Sequence, residues 1–166
     1  EGHRATLDDW RLHLNTLFPE VRLKKTIEIR GGDAQSTDMA CALPALWTGI
    51  YYDDIALAEA ETLIESWGHD EIAELRTRAW REGLRTTFRN APLAAVAERV
   101  VAAAEGGLAR RARVEPSSGK DERVHLARLR RLVSQACTPA DLLLEGLDHE
   151  KDPASVLVER AALKWE

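Results

Sequence analysis

The spacing of hydrophobic and polar positions changes sharply near the start of the chain. Thr6 is suited to cap a helix, in which Trp10 and the leucines after it recur at helical intervals as far as Pro19. Strict alternation of polar and mostly apolar residues follows. This pattern predicts a short helix and then one long amphipathic strand over about residues 20–31, which a glycine pair ends.

The predicted strand separates two kinds of side chain. Its odd positions are mostly apolar, whereas its even positions carry Glu20 and then four further ionisable groups of mixed sign: Arg22, Lys24, Glu28 and Arg30. Alternate residues of a strand point to the same side, so these groups are expected to share one face. An ordinary solvent-exposed face and the floor of a phosphate and metal site both fit this pattern.

The rest of the chain has helical periodicity. Met39–Tyr51 is almost wholly apolar, and Pro92 opens a long segment whose apolar stripe reaches Leu108. The fold class is therefore predicted to be α+β and predominantly helical, with the strand followed by a helical C-terminal bundle. No second clear strand follows, so the predicted strand is expected to pair between subunits or with strands before residue 1. The absence of an initial methionine favours the second possibility.

Composition and charge exclude several classes of protein. Against 28 acidic residues there are only 23 lysines and arginines, a balance that argues against nucleic-acid binding. No apolar run has the roughly 20 residues of a membrane helix. Cys41 and Cys137 form no CxxC motif, which argues against a zinc or redox pair. Two isolated cysteines are typical of a reducing compartment, and the cytoplasm is predicted.

Three stretches carry a family resemblance. They are Thr16–Lys24, which reads TLFPEVRLK, Ile27–Asp33, which reads IEIRGGD, and Cys41–Trp47, which reads CALPALW. Together they resemble the C-terminal part of glutamate–cysteine ligases of the plant and proteobacterial type, whose full chain is much longer. The turn commonly reads Arg-Gly-Ala-Asp in that family and Arg-Gly-Gly-Asp in this chain.

The resemblance implies an ATP-dependent acid–amino-acid ligase. Such an enzyme joins glutamate to cysteine through a γ-glutamyl phosphate, the first step of glutathione biosynthesis, and uses ATP and Mg²⁺. Its antiparallel sheet is similar to that of glutamine synthetase. By this resemblance Glu28 is expected to bind the metal and Arg30 to be the catalytic arginine. Arg30, Lys24 and Arg22 are expected to bind the phosphates of the cofactor.

The resemblance also implies how the chain is organised. Residues 1–166 are expected to be a single region, the C-terminal part of a larger catalytic domain. Within it, 1–36 supply a helix and the active-site strand, and 37–166 supply the helical part. The expected partners are glutamate, cysteine, ATP and the upstream segment of the same enzyme, without which the chain is expected to be incomplete for catalysis.

Two alternatives to this function stay open. The chain fits a non-catalytic helical interaction module, or a truncated relative, that binds a partner through the open edge of its strand. It also fits a related γ-glutamyl ligase with another amine acceptor. The aromatic residues Trp47, Tyr51 and Tyr52 fit either a substrate pocket beside the strand or the helical core.

Overall fold

The computed structural model describes residues 4–114 and 119–162, apart from the side chain of residue 148. These residues divide into two compact units, one that extends to Ala34 and one that begins at Gln35. Short 3₁₀ helices lie at Gly83–Arg85, Glu122–Leu126 and Leu147–His149. In chain order the other elements are α1 (Leu7–Thr16), β1 (Val21–Leu23), β2 (Ile27–Ile29), α2 (Thr37–Tyr51), α3 (Asp54–Ile64), α4 (His69–Glu82), β3 (Thr87–Phe88), β4 (Ala91–Pro92), α5 (Leu93–Arg111), α6 (Ala127–Ser134), α7 (Pro139–Leu144) and α8 (Pro153–Ala161).

The first unit contains α1 and a β-hairpin. Thr6 caps α1 as predicted: its hydroxyl accepts a hydrogen bond from the Asp9 N–H at 3.2 Å, and its own N–H donates to the Asp9 carboxylate at 2.7 Å. β1 pairs antiparallel with β2, so that Arg22 lies opposite Glu28. Helix α1 has no buried residue.

The hairpin corrects the prediction of one continuous strand over residues 20–31. Residues 24–26 reverse the chain, and the Lys24 N–H donates to the Thr26 carbonyl at 2.9 Å. Facing residues are an even number of positions apart, so odd positions stay on one face of both strands and the alternation continues unbroken through the turn. Lys25, a charged residue in the otherwise apolar odd series, is the sequence signal for the turn.

Helices α2 and α5 form the centre of the second unit. Its core is a cluster of small and aliphatic buried residues from both helices and the 3₁₀ helix at Glu122–Leu126: Ala42, Ala45, Ile50, Ala104, Leu108 and Leu126. The predicted long helix is confirmed, since α5 begins directly after Pro92 and buries the last part of its apolar stripe. No described helix combines the length and the apolar character needed to cross a membrane.

A second hairpin, formed by β3 and β4, has no counterpart in the sequence-based prediction. Its strands have two residues each, which is too short for alternation to be recognised. Arg89 and Asn90 make the turn with φ angles of 48° and 65°. Arg89 also donates to the Glu71 carboxylate at 2.6 and 2.7 Å, which ties this turn to α4.

An ion pair links α3 to α5. Asp53 caps α3 by accepting from the Ala56 N–H at 2.8 Å, and its two oxygens accept from Arg110 at 2.7 and 2.9 Å. The hydrogen bonds from Arg110 lower the pKa of Asp53 to about 2. Bidentate geometry of this kind fixes the orientation of the two side chains.

Helices α2 and α5 approach each other so closely that glycine is required at the contact. A Cβ atom at Gly107 would collide with the carbonyl oxygen of Gly49, and a Cβ atom at Gly49 would collide with the carbonyl oxygen of Ala104. Because the obstructing atoms belong to backbone, no side-chain rotation relieves these collisions. The two helices must therefore separate if either glycine is replaced.

We predict that Gly107→Ala destabilises the chain, whereas Gly106→Ala does not. The first variant should lower the free energy of unfolding by about 1–3 kcal/mol, the usual cost of overpacking a core. At Gly106 a Cβ would lie 3.3 Å from the end of the Arg110 side chain, which has to move by only a few tenths of an ångström, and alanine favours a helix interior by up to about 1 kcal/mol. Chemical denaturation of both variants measures the difference. Equal stabilities would contradict the close helix contact.

Candidate functional site

The hairpin brings three of the four predicted site residues into direct contact. The Nε and Nη2 atoms of Arg22 donate to Glu28 Oε2 at 2.9 and 2.6 Å, and Arg30 Nη1 lies 3.5 Å from the same oxygen. All three contacts are made to Oε2, and none of them involves Oε1. The structure thus places two guanidinium groups on one carboxylate oxygen.

The fourth residue, Lys24, is held by the end of α1. Its Nζ donates to Asn15 Oδ1 at 3.0 Å, and the backbone carbonyl of Asn15 accepts from Arg22 Nη1 at 3.4 Å. Phe18 follows α1, and the guanidinium carbon of Arg30 lies 4.8 Å from the centroid of its ring. Each cation of the face therefore has a contact with the Asn15–Phe18 segment.

The cross-strand pair Arg22 and Glu28 is more protected from solvent than the pair Leu23 and Ile27 on the apolar face of the same hairpin. The side chains of Arg22, Glu28 and Arg30 are 17%, 34% and 29% exposed. By contrast, Leu23 and Ile27 on the other face are 79% and 54% exposed. At these positions the usual arrangement, with apolar side chains inward, is inverted.

The electrostatics of this face favour an anion. The hydrogen bond from Arg22 holds the pKa of Glu28 below its ordinary value, and the charges of Arg22, Lys24 and Arg30 act in the same direction against the opposing effect of burial. Three cationic side chains act on the one carboxylate of Glu28, so these four residues together carry an excess of positive charge. Guanidinium and ammonium groups in such an arrangement are suited to bind phosphate oxygens.

A metal ion would find only part of its ligand set here. Among the described residues no group of three or more His, Cys, Asp or Glu side chains is arranged to hold a metal. Mg²⁺ prefers six oxygen ligands, often one or two of them carboxylates with several waters. Glu28 offers one carboxylate oxygen that the guanidinium groups leave unused, so this unit fits a single ligand to such an ion.

The three aromatic residues after the hairpin lie in the second unit. Trp47 packs against the helical core and stacks on Tyr51, with ring centroids 5.4 Å apart. Tyr52 is 73% exposed, and the guanidinium carbon of Arg111 lies 5.2 Å from the centroid of its ring. Of the two positions that the sequence left open, Trp47 thus lies against the helical core, whereas Tyr52 does not.

The periodicity of the sequence does not single out Asn15 and Phe18. Asn15 is a polar residue near the end of a helix, and Phe18 lies in the connection to β1. Their contacts arise only when the hairpin folds back beside α1. The sequence feature that points to Phe18 is its position inside the TLFPEVRLK stretch, which carries part of the family resemblance.

Comparison with known proteins identifies the family. The model of glutamate–cysteine ligase family 2 matches residues 1–159. The chain belongs to this family. The chloroplastic glutamate–cysteine ligases of Medicago truncatula and Nicotiana tabacum are each 41% identical to it over 155 residues. The corresponding protein of Arabidopsis thaliana is 40% identical over 149 residues.

The match to these glutamate–cysteine ligases covers most of this chain but little of each relative. It includes 93%, 93% and 90% of the chain and 29%, 28% and 27% of the relatives, in the same order. The matched region is the C-terminal part of the relatives. The resemblance carried by the three stretches of sequence is therefore confirmed.

The comparison also corrects the predicted location. These relatives are named as chloroplastic proteins, which contradicts the prediction of a cytoplasmic protein. That prediction used only the number and spacing of the cysteines. Unpaired cysteines indicate reducing conditions, and reducing conditions do not identify a compartment.

We predict that Arg22→Ala raises the pKa of Glu28 towards its ordinary value of 4.5, because the variant loses the largest contribution that stabilises the charged carboxylate. Lys25→Ala is the matched control, since Lys25 lies exposed in the turn at the centre of the hairpin. Titration of the carboxyl carbon by NMR measures both variants. The same Glu28 pKa in Arg22→Ala as in the unmodified chain would contradict the ion-pair geometry.

Proposed function

We propose that this chain is the C-terminal part of an ATP-dependent glutamate–cysteine ligase that forms γ-glutamylcysteine, the first step of glutathione biosynthesis. The observation that carries the proposal is the charged face of the hairpin in a member of this family. There Glu28 lies between Arg22 and Arg30 on one side of a short antiparallel sheet. The chain spans less than a third of the length of the relatives it matches, so the complete activity is proposed for a longer protein.

The chemistry explains why such a face is needed. A carboxylate is a poor acceptor for an amine, so the γ-phosphoryl group of ATP is first transferred to a γ-carboxylate oxygen of glutamate and ADP leaves. The cysteine amine then attacks the acyl carbon and loses a proton, and inorganic phosphate leaves as the amide bond forms. Negative charge on the phosphoryl oxygens has to be stabilised during the transfer.

The residues of the face are assigned to this chemistry as follows. Arg30 is the catalytic arginine and stabilises the transferring phosphoryl group through its guanidinium N–H groups. Lys24 binds phosphate oxygens of ATP as a point charge. Arg22 contributes to the same phosphate site and orients the Glu28 carboxylate, to which it already donates two hydrogen bonds.

Glu28 is assigned as one ligand of Mg²⁺ through the oxygen that the guanidinium groups leave unused. Bound there, the ion would supply positive charge next to the phosphate oxygens. Other ligands are assigned to water, to the phosphates and to parts of the enzyme outside the described residues.

We also propose that the hairpin is one part of a larger antiparallel sheet like that of glutamine synthetase. An isolated two-stranded hairpin is marginally stable in water, and both edges of this one are open within the described residues. Its apolar face carries Val21, Leu23 and Ile27, which are 54%, 79% and 54% exposed. The upstream segment of the same enzyme is assigned to cover that face and to extend the sheet.

This sheet proposal predicts that Leu23→Lys has different effects in two lengths of protein. In the chain described here, the variant should leave the free energy of unfolding within about 0.5 kcal/mol, because the side chain is exposed. In the longer ligase it should lower that free energy by about 2 kcal/mol or more, because a covered leucine loses its burial. Thermal and chemical unfolding measure both. Equal, small effects would show that nothing covers this face.

The proposed function predicts that Glu28→Gln and Arg30→Ala each lower kcat of the longer ligase by about 10²-fold or more, the effect of losing one transition-state charge contact. Phosphate release with ATP, Mg²⁺, glutamate and cysteine measures the rate. The matched control is Lys25→Ala, which removes a charge from the exposed turn beside the face and should keep nearly normal kcat.

Near-normal rates in both Glu28→Gln and Arg30→Ala would overturn the assignment of the charged face. Replacing cysteine with other amines in the same assay tests the acceptor. Faster turnover with another amine would favour a related γ-glutamyl ligase over a glutamate–cysteine ligase.

A further inference from the structure

The Asn15–Phe18 segment, at and just after the end of α1, contacts every cation of the charged face, yet it carries no charge of its own at these contacts. Asn15 contacts Lys24 and Arg22, and Phe18 contacts Arg30. We propose that Asn15 and Phe18 are positioning residues of the ligase site, which hold the cations without neutralising them. The proposal rests on the proposed function and deepens it by adding a second element to the site.

Phe18 lies against the Arg30 guanidinium. The ring is 75% exposed, so its own burial contributes little, but the guanidinium carbon lies 4.8 Å from its centroid. A guanidinium stacked on an aromatic face keeps its N–H groups at the edge of the stack, where they reach anionic oxygens. One edge is already directed at Glu28, since Arg30 Nη1 lies 3.5 Å from Oε2.

Asn15 fixes Lys24 by a neutral hydrogen bond. Lys24 belongs to the turn at residues 24–26 and has a flexible four-carbon side chain, which costs entropy to order. The amide oxygen of Asn15 accepts from its Nζ at 3.0 Å and so restricts the ammonium group. An aspartate at this position would pair with the ammonium and cancel the charge that phosphate binding requires.

Kinetics of the longer ligase test the role of Phe18. Phe18→Leu keeps an apolar side chain but removes the ring, and it should lower kcat about 5-fold with little change in the KM for ATP. Phe18→Tyr keeps the ring and should recover most of this loss. Leu12→Ala, a change at a 66% exposed position of α1, is the control for effects on the helix itself.

A double-mutant cycle separates positioning from a structural role. If Phe18 acts through Arg30, Phe18→Leu should cause no further loss of kcat in the Arg30→Ala background, which lacks the cation that the ring contacts. If Phe18→Leu lowers kcat equally in the enzyme with Arg30 and in the Arg30→Ala variant, the proposal is overturned. So would a normal kcat in Phe18→Leu, or an equal loss in Phe18→Tyr.

The role of Asn15 has a different kinetic signature. Asn15→Ala should raise the KM for ATP about 5-fold with little effect on kcat, and Asn15→Asp should raise it further because the charge of Lys24 is cancelled. Asn15→Ala should not add to the effect of Lys24→Ala, because the hydrogen bond that it removes is already absent there. An Asn15→Asp enzyme with a lower KM than Asn15→Ala would overturn this role.

The two proposals fail in distinguishable ways. Normal kcat in Arg30→Ala and normal KM for ATP in Lys24→Ala would remove the charged face from the reaction, and the proposed function would fail with it. A large effect of Arg30→Ala together with no effect of Phe18→Leu would leave the function intact and reject only the positioning role.

Discussion

The close contact between α2 and α5 is the constraint on which the helical unit depends. Backbone carbonyls of Gly49 and Ala104 occupy the space that Cβ atoms would take at Gly107 and Gly49. The short distance between the two helices is therefore possible only because these two positions are glycine. The small residues Ala42 and Ala45 complete the same interface. With this spacing set, Asp53 at the start of α3 reaches Arg110 near the end of α5.

The charged face of the hairpin depends on a different balance. Two guanidinium groups contact one oxygen of Glu28, and their mutual repulsion is offset by that carboxylate. The arrangement keeps the cations together while leaving net positive charge on the face. Such a face is suited to bind a phosphate chain. Glu28 neutralises only part of the positive charge, and the phosphate anion would neutralise the rest.

The positions of the helices follow from the sequence with few errors, whereas the strand region does not. Capping by Thr6 and the apolar stripe of α5 depend on residues within one or two turns of each other, so periodicity is sufficient to find them. The reversal at residues 24–26 is concealed because both strands keep the same alternation. The β3–β4 hairpin is missed because two residues are too few to show a period.

By itself the sequence determined that Arg22, Lys24, Glu28 and Arg30 share one face, and it carried the family resemblance that the comparison confirmed. Alternation depends only on local backbone geometry, which neighbouring residues fix. Only the tertiary structure decided that Arg22 faces Glu28 across a hairpin, and that Asn15 and Phe18 support the cations from α1 and the segment after it. Those contacts depend on where the chain reverses and on the register it then adopts, which a period-two pattern leaves open because it is unchanged by the turn.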